Sequence, residues 1–182
     1  MLSGIKLKQA RMRGDATVDD LVRSLVRTGL NEKQARAALN NWQKNLMEPL
    51  PKSIDKENLA RALGLTPADL LVFTALHRYA PIAPRKVRLV ADLVRGYMIH
   101  DALDMLKFAN KRAAVFVEKV LRSALANADE QEADVERLYV CEVRVDEGGV
   151  RAGTRRWRPK DRGRAMPWTR LASHIYACLD VK

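Results

Sequence analysis

The chain reads as a series of helices closed by a long β-hairpin, an α+β fold. Three observations predict it. Apolar residues recur at helical spacing from Val18 to Ala128, with Gly or Pro at the stops. Two runs alternate with the period of a strand, Leu138 to Val145 and Ser173 to Leu179. Between them, Pro159 and Gly163 punctuate an arginine-rich stretch and place a hairpin tip near Lys160 to Gly163.

Residues 1–71 read as a small all-α domain. Thr17 with Asp20 makes a capping-box pattern ahead of Val18, Leu21, Val22 and Leu25, and Gly29 stops that helix. Asn31 caps the next, Glu32 to Gln43, whose apolar positions include Ala35, Ala38, Leu39 and Trp42. Asp55 caps a further helix through Leu59, Ala62 and Leu63, ended by Gly64, and Thr66-Pro67 starts a last turn with Pro at its favoured first position. Trp42, Pro49 and the run ALGLTPADLL (Ala62 to Leu71) resemble the repressor-like helix-turn-helix family. That resemblance implies a DNA-binding regulator. The other reading is a helical appendage that packs against RNA or protein, because a fold does not carry its function with it. Trp42 reads as core rather than as a stacking platform.

The second domain, residues 72–182, opens on an extended stretch, Val72 to Ala80. A helix follows from Pro84 to Arg95, stopped by Gly96. Val87, Val90, Ala91 and Val94 form its apolar stripe, while Arg85, Arg88 and Arg95 line another side with Lys86 flanking. A second helix spans Asp101 to Phe108. Asn110 caps a third, Lys111 to Asp129, with Ala113, Val117, Val120, Leu121, Ala124 and Ala128 on its core face and Glu118–Arg122 as an i,i+4 ion pair. The acidic run Asp129 to Asp134 then leads into the first long strand.

Charge is where function shows. The chain carries +11, and 47% hydrophobic residues are ample for a core; a basic globular protein favours a polyanion as partner. Residues 1–76 hold 12 bases and 8 acids, residues 77–182 hold 21 and 14. The excess concentrates in Arg151, Arg155, Arg156, Arg158, Lys160, Arg162, Arg164 and Arg170, opposed in that window only by Asp161. At roughly 3.3 Å per residue each hairpin arm reaches on the order of 40 Å. A lone ribbon of that kind is marginal in water, and its like charges repel. Phosphates packed around it neutralise the arginines, and Trp157 and Trp168 offer faces for unpaired bases. The alternative is a solvated basic loop.

Catalytic readings find no support in the pattern. Asp146 and Glu147 are adjacent on a strand and point to opposite faces, so they make no acid–base pair. His77, His100 and His174 are scattered without metal-ligand spacing, and the glycines at 148, 149, 153 and 163 fit no phosphate loop. His174 either contacts RNA or satisfies a backbone group. Cys141 and Cys178 lack a close-spaced partner and read as small core residues, with a cross-strand disulfide as the other option. No apolar run approaches the ~20 residues of a membrane helix. The expectation is a cytoplasmic protein with no enzyme activity, no metal and no cofactor.

Six blocks carry a second resemblance. PRKVRLVADLVRG (Pro84 to Gly96), ALDMLKFANKRAA (Ala102 to Ala114), VEKVLRSALANA (Val117 to Ala128), VDEG (Val145 to Gly148), RPKDRGRA (Arg158 to Ala165) and SHI (Ser173 to Ile175) occur in order, and together they are similar to the bacterial large-subunit ribosomal protein twenty-two family over residues 77–182. The resemblance implies an α+β domain, three helices on a three-stranded antiparallel sheet with its first strand near Phe73 to Ala80. It implies binding of large-subunit rRNA during assembly, neighbouring ribosomal proteins as partners, and no homo-oligomer. It also implies that the hairpin tip, Arg158, Pro159, Lys160, Asp161, Arg162, Gly163 and Arg164, lines the tunnel through which the nascent peptide leaves. The outgoing arm between Gly148 and Pro159 is about three residues longer than that family's usual arm, and residues 1–71 are an extension.

Overall fold

In the computed structural model, which describes residues 1–14, 16–26 and 29–181, the chain divides at Val72 into two units. The first unit opens with a helix that apolar periodicity does not announce, α1 (Gly4–Arg13). It buries only Gly4 and Leu7, and docking holds it in place. Ser3 donates its N–H to Leu70 O at 3.0 Å, Gly4 donates to Asn45 Oδ1 at 2.8 Å, and Leu2 pairs with Leu71. Next come α2 (Val18–Val26), α3 (Glu32–Gln43), α4 (Ser53–Leu63) and a 3-10 turn at Pro67–Leu70.

The Thr17/Asp20 capping box is present. Thr17 donates its N–H and hydroxyl to Asp20 Oδ2, and Asp20 donates its N–H back to Thr17 Oγ1. Trp42 is fully buried, and its indole N–H donates to Pro49 O at 2.6 Å, which ties the long loop to α3. Asp55 is not the cap of α4. It stands in the first turn, and its carboxylate accepts the Lys52 N–H at 2.9 Å, so the cap is Lys52 and the chain turns helical three residues earlier than a capping Asp55 requires. Gly64 ends α4 at φ +66, the left-handed conformation glycine adopts without cost.

The second unit runs β1 (Phe73–Ala80), α5 (Pro84–Val94), α6 (Ile99–Phe108), α7 (Arg112–Asp129), β2 (Leu138–Val150), β3 (Arg156–Pro159), β4 (Ala165–Trp168) and β5 (Leu171–Val181). It is α+β, with β1, β5 and β2 side by side in one three-stranded sheet. β5 is central and antiparallel to β1, with Phe73 opposite Leu179 and His77 opposite Ile175. The α5 stripe Val87, Val90, Ala91 and Val94 is buried, as is the α7 face from Ala113 to Ala128. α7 packs on β1 and α5 on β2. Asn110 lies outside α7, whose cap is Lys111.

Two strands depart from simple alternation. In β2 the inward positions switch from Leu138 and Val140 to Val143 and Val145, so a single hydrophobic period does not describe the whole strand. In β1 the register slips between His77 and Ala80, and Tyr79 takes φ +55 there.

Candidate nucleic-acid interface

The hairpin is not one continuous ribbon. Its root belongs to the three-stranded sheet, and its distal part is a separate two-stranded sheet of β3 and β4. Arg151 donates its N–H to Arg170 O at 2.8 Å, and the ladder resumes with Arg156 opposite Trp168. Between these points the outgoing arm supplies four residues, Ala152 to Arg155, against Thr169 alone on the return arm. The three extra residues close a turn. Thr154 donates its N–H and its hydroxyl to Arg151 O, the latter at 2.6 Å, and Gly153 supplies φ +69. The paired ribbon beyond is four residues per arm, roughly 13 Å, about a third of the reach expected of an unbroken arm. At the tip Lys160 donates to Arg164 O at 2.7 Å, and Arg162 holds φ +57 next to Gly163.

Register decides what each face of the ribbon presents. Opposed residues share a face and neighbours along a strand alternate. Pairing of Arg156 with Trp168 and Arg158 with Met166 puts both arginines on one face; Trp157 with Pro167 and Pro159 with Ala165 make the other face uncharged. The two tryptophans therefore point in opposite directions. Trp168 is half-buried under guanidinium groups, Arg158 at 4.3 Å and Arg170 at 5.5 Å from its ring centre. Trp157 is 60% exposed, with the Arg155 guanidinium 5.3 Å from its ring centre.

None of the eight basic side chains of the hairpin makes an ion pair among the described residues. The α5 bases divide differently. Arg85 and Lys86 are exposed in the first turn, where no acid offsets them and the helix dipole disfavours a cation. An anion there relieves both. Arg88 and Arg95 have work inside the fold. Arg88 donates through Nε and Nη2 to Val145 O at 3.3 and 3.2 Å, and Arg95 donates through Nη2 to Val143 O at 2.8 Å. β2 is an edge strand, and its outward carbonyls need partners. Gly96 and Tyr97 cover the same edge at Val140. The strand alternation and the helix stripe were both visible in sequence, but their juxtaposition was not.

His174 also serves the backbone. Its Nδ1 accepts the Tyr79 N–H at 3.1 Å, inside the β1 irregularity, and the Tyr79 ring meets it edge-on at 4.6 Å. Cys141 and Cys178 are free thiols; the Cys141 thiol donates toward Cys178 O at 3.2 Å. Hydrogen bonding to Cys178 and burial push the Cys141 thiol up, and burial pushes the Tyr176 hydroxyl up to about 12. Among the described residues no three His, Cys, Asp or Glu side chains gather as a metal site, and no helix is long and apolar enough to cross a membrane.

Residues 75–180 match the family model of ribosomal protein L22p/L17e. The chain belongs to that family. It is 45% identical over 107 residues to the large ribosomal subunit protein uL22 of Caldicellulosiruptor saccharolyticus, covering 58% of this chain and 85% of that one. It is 44% identical over 109 residues to the protein of the same name from Syntrophobacter fumaroxidans, covering 59% and 96%. The L22p/L17e match takes in α5, α7 and the whole hairpin, and it begins after the first unit has ended.

Proposed function

We propose that this L22p/L17e chain is a non-catalytic constituent of the large ribosomal subunit that clamps large-subunit rRNA and lines the nascent-peptide tunnel with its hairpin tip. One observation carries the reading: eight basic side chains stand on a thin, exposed hairpin whose one carboxylate, Asp161, pairs with none of them among the described residues. Solvent alone leaves that repulsion in place, whereas RNA phosphates remove it. The arginine face of the ribbon, Arg156 and Arg158, suits phosphate; the uncharged face suits bases or the tunnel interior. Trp157 is the better stacking residue, since two guanidinium groups already lie against the Trp168 ring. Arg85, Lys86, Arg151, Arg155 and Arg164 extend the clamp, and Arg158 to Arg164 form the tunnel segment. Contacts of this kind recognise shape more than sequence.

The test is the salt dependence of binding to large-subunit rRNA fragments, with duplex DNA as competitor. About six phosphate contacts give a log–log slope of about −4. Replacing Arg156, Arg158 and Arg164 with Gln makes the slope shallower by about 2. A slope near zero, or preference for duplex DNA that survives the hairpin substitutions, rejects the reading.

A further inference from the structure

The first unit lies outside the family match, and its charge is not spread evenly. α1 carries Lys6, Lys8, Arg11 and Arg13 with no acid, while residues 1–72 as a whole hold 12 bases and 8 acids. Everything outside α1 is thus balanced, eight against eight. α2 sets Asp19 and Asp20 against Arg23, and α4 sets Asp55 and Glu57 against Lys56 and Arg61. α3 begins on Glu32, and its Arg36 is held by Asp19 at 2.7 Å and by Glu32 at 3.3 Å. A helix whose first turn is acidic and whose arginine is already paired offers little to a phosphate. α1 is the opposite: Lys8, Arg11 and Arg13 make no ion pair among the described residues. Lys8 and Arg13 are exposed and Arg11 is half-buried.

The helix is also firmly mounted. A side chain at Gly4 collides with the Trp42 carbonyl, so only glycine lets α1 approach the end of α3 this closely. The amino terminus donates to Val72 O at 2.7 Å, and Lys6 donates to Leu71 O at 3.2 Å. An otherwise neutral unit therefore presents one rigid basic helix, with little ordering left to do on binding.

We propose that α1 is a second RNA-backbone contact of this chain, in which Lys8, Arg11 and Arg13 bind phosphates of the large-subunit rRNA that the second unit holds. This rests on the ribosomal reading above. The tethered second unit keeps rRNA phosphate at high effective concentration around α1, so three weak contacts suffice. The unit acts as a sequence-independent clamp through α1, and α3 is not its nucleic-acid face.

The experiment uses the full chain and large-subunit rRNA fragments, read as binding against salt. K8Q/R11Q/R13Q keeps helix propensity and removes three charges. Its slope falls short of wild type by about 2, and affinity at 50 mM salt drops on the order of a hundredfold. The charge-conserving K8R/R11K/R13K keeps the wild-type slope. If it loses as much as the Gln variant, the effect is packing and the proposal fails. If the Gln variant keeps the wild-type slope while R156Q/R158Q/R164Q loses its share, α1 is not an RNA contact and only this inference falls. If the hairpin variant keeps its slope too, the ribosomal reading falls with it. Loss of binding to phosphatidylserine vesicles or duplex DNA, with rRNA binding intact, also overturns the proposal.

Discussion

Replacing Arg88 and Arg95 with Gln separates a structural arginine from a phosphate-binding one. Both guanidinium groups reach the outer edge of β2, where Val143 and Val145 present carbonyls that no strand pairs. Gln is too short to span that gap. A charge-assisted hydrogen bond in a buried site contributes about 1.5–3 kcal/mol. The Arg95 side chain is about half exposed and also faces Asp92 at 3.1 Å, so solvent screening brings the figure down to about 1 kcal/mol for each arginine. Taken together, the double variant costs about 2 kcal/mol. A whole-chain melt averages over both units, so the measurement is hydrogen exchange across β2, which reads the second unit alone. The expected result is roughly thirtyfold faster exchange at Val140 to Val145, with the rRNA salt slope changed by less than one unit. Unchanged exchange, together with a slope shallower by about 1.4, refutes the structural assignment and returns both residues to the phosphate contacts.

Gly4→Ala forces α1 away from Trp42 and Gln43 and destabilises the first unit by about 1–3 kcal/mol, read from the urea midpoint of Trp42 fluorescence in a chain lacking Trp157 and Trp168; an unchanged midpoint shows that α1 is not held by this contact. The Cys141 thiol is pushed above its ordinary value, so it stays protonated where a free thiol ionises. Raising the pH from 7 to 9 therefore accelerates its alkylation by iodoacetamide in urea but hardly at all in the folded protein, and a native rate that climbs in parallel with the unfolded one contradicts the assignment.

Much of the fold was legible because periodicity is local. The buried faces of α2, α3, α5 and α7 follow from apolar spacing, and Gly64 and the Thr17/Asp20 box mark ends that depend on a few neighbouring residues. α1 was not legible. It buries one large apolar side chain, and its helix exists because Ser3 and Gly4 are pinned by Leu70 and Asn45, far away in sequence. The caps misplaced at Asp55 and Asn110 erred by three residues and by one for a related reason: several nearby side chains offer a hydrogen bond, and packing chooses among them.

By itself, then, the amino-acid order determined the basic hairpin, the apolar faces and the family, since each is a matter of residue type at short range. Tertiary structure alone decided how the arginines divide. Pairing across the ribbon puts Arg156 and Arg158 on one face and Trp157 on the other, and docking of α5 commits Arg88 and Arg95 to the β2 carbonyls. A charged side chain carries no record of its partner. Only the approach of another segment shows whether an arginine caps a strand edge inside the protein or remains free for an anion outside it.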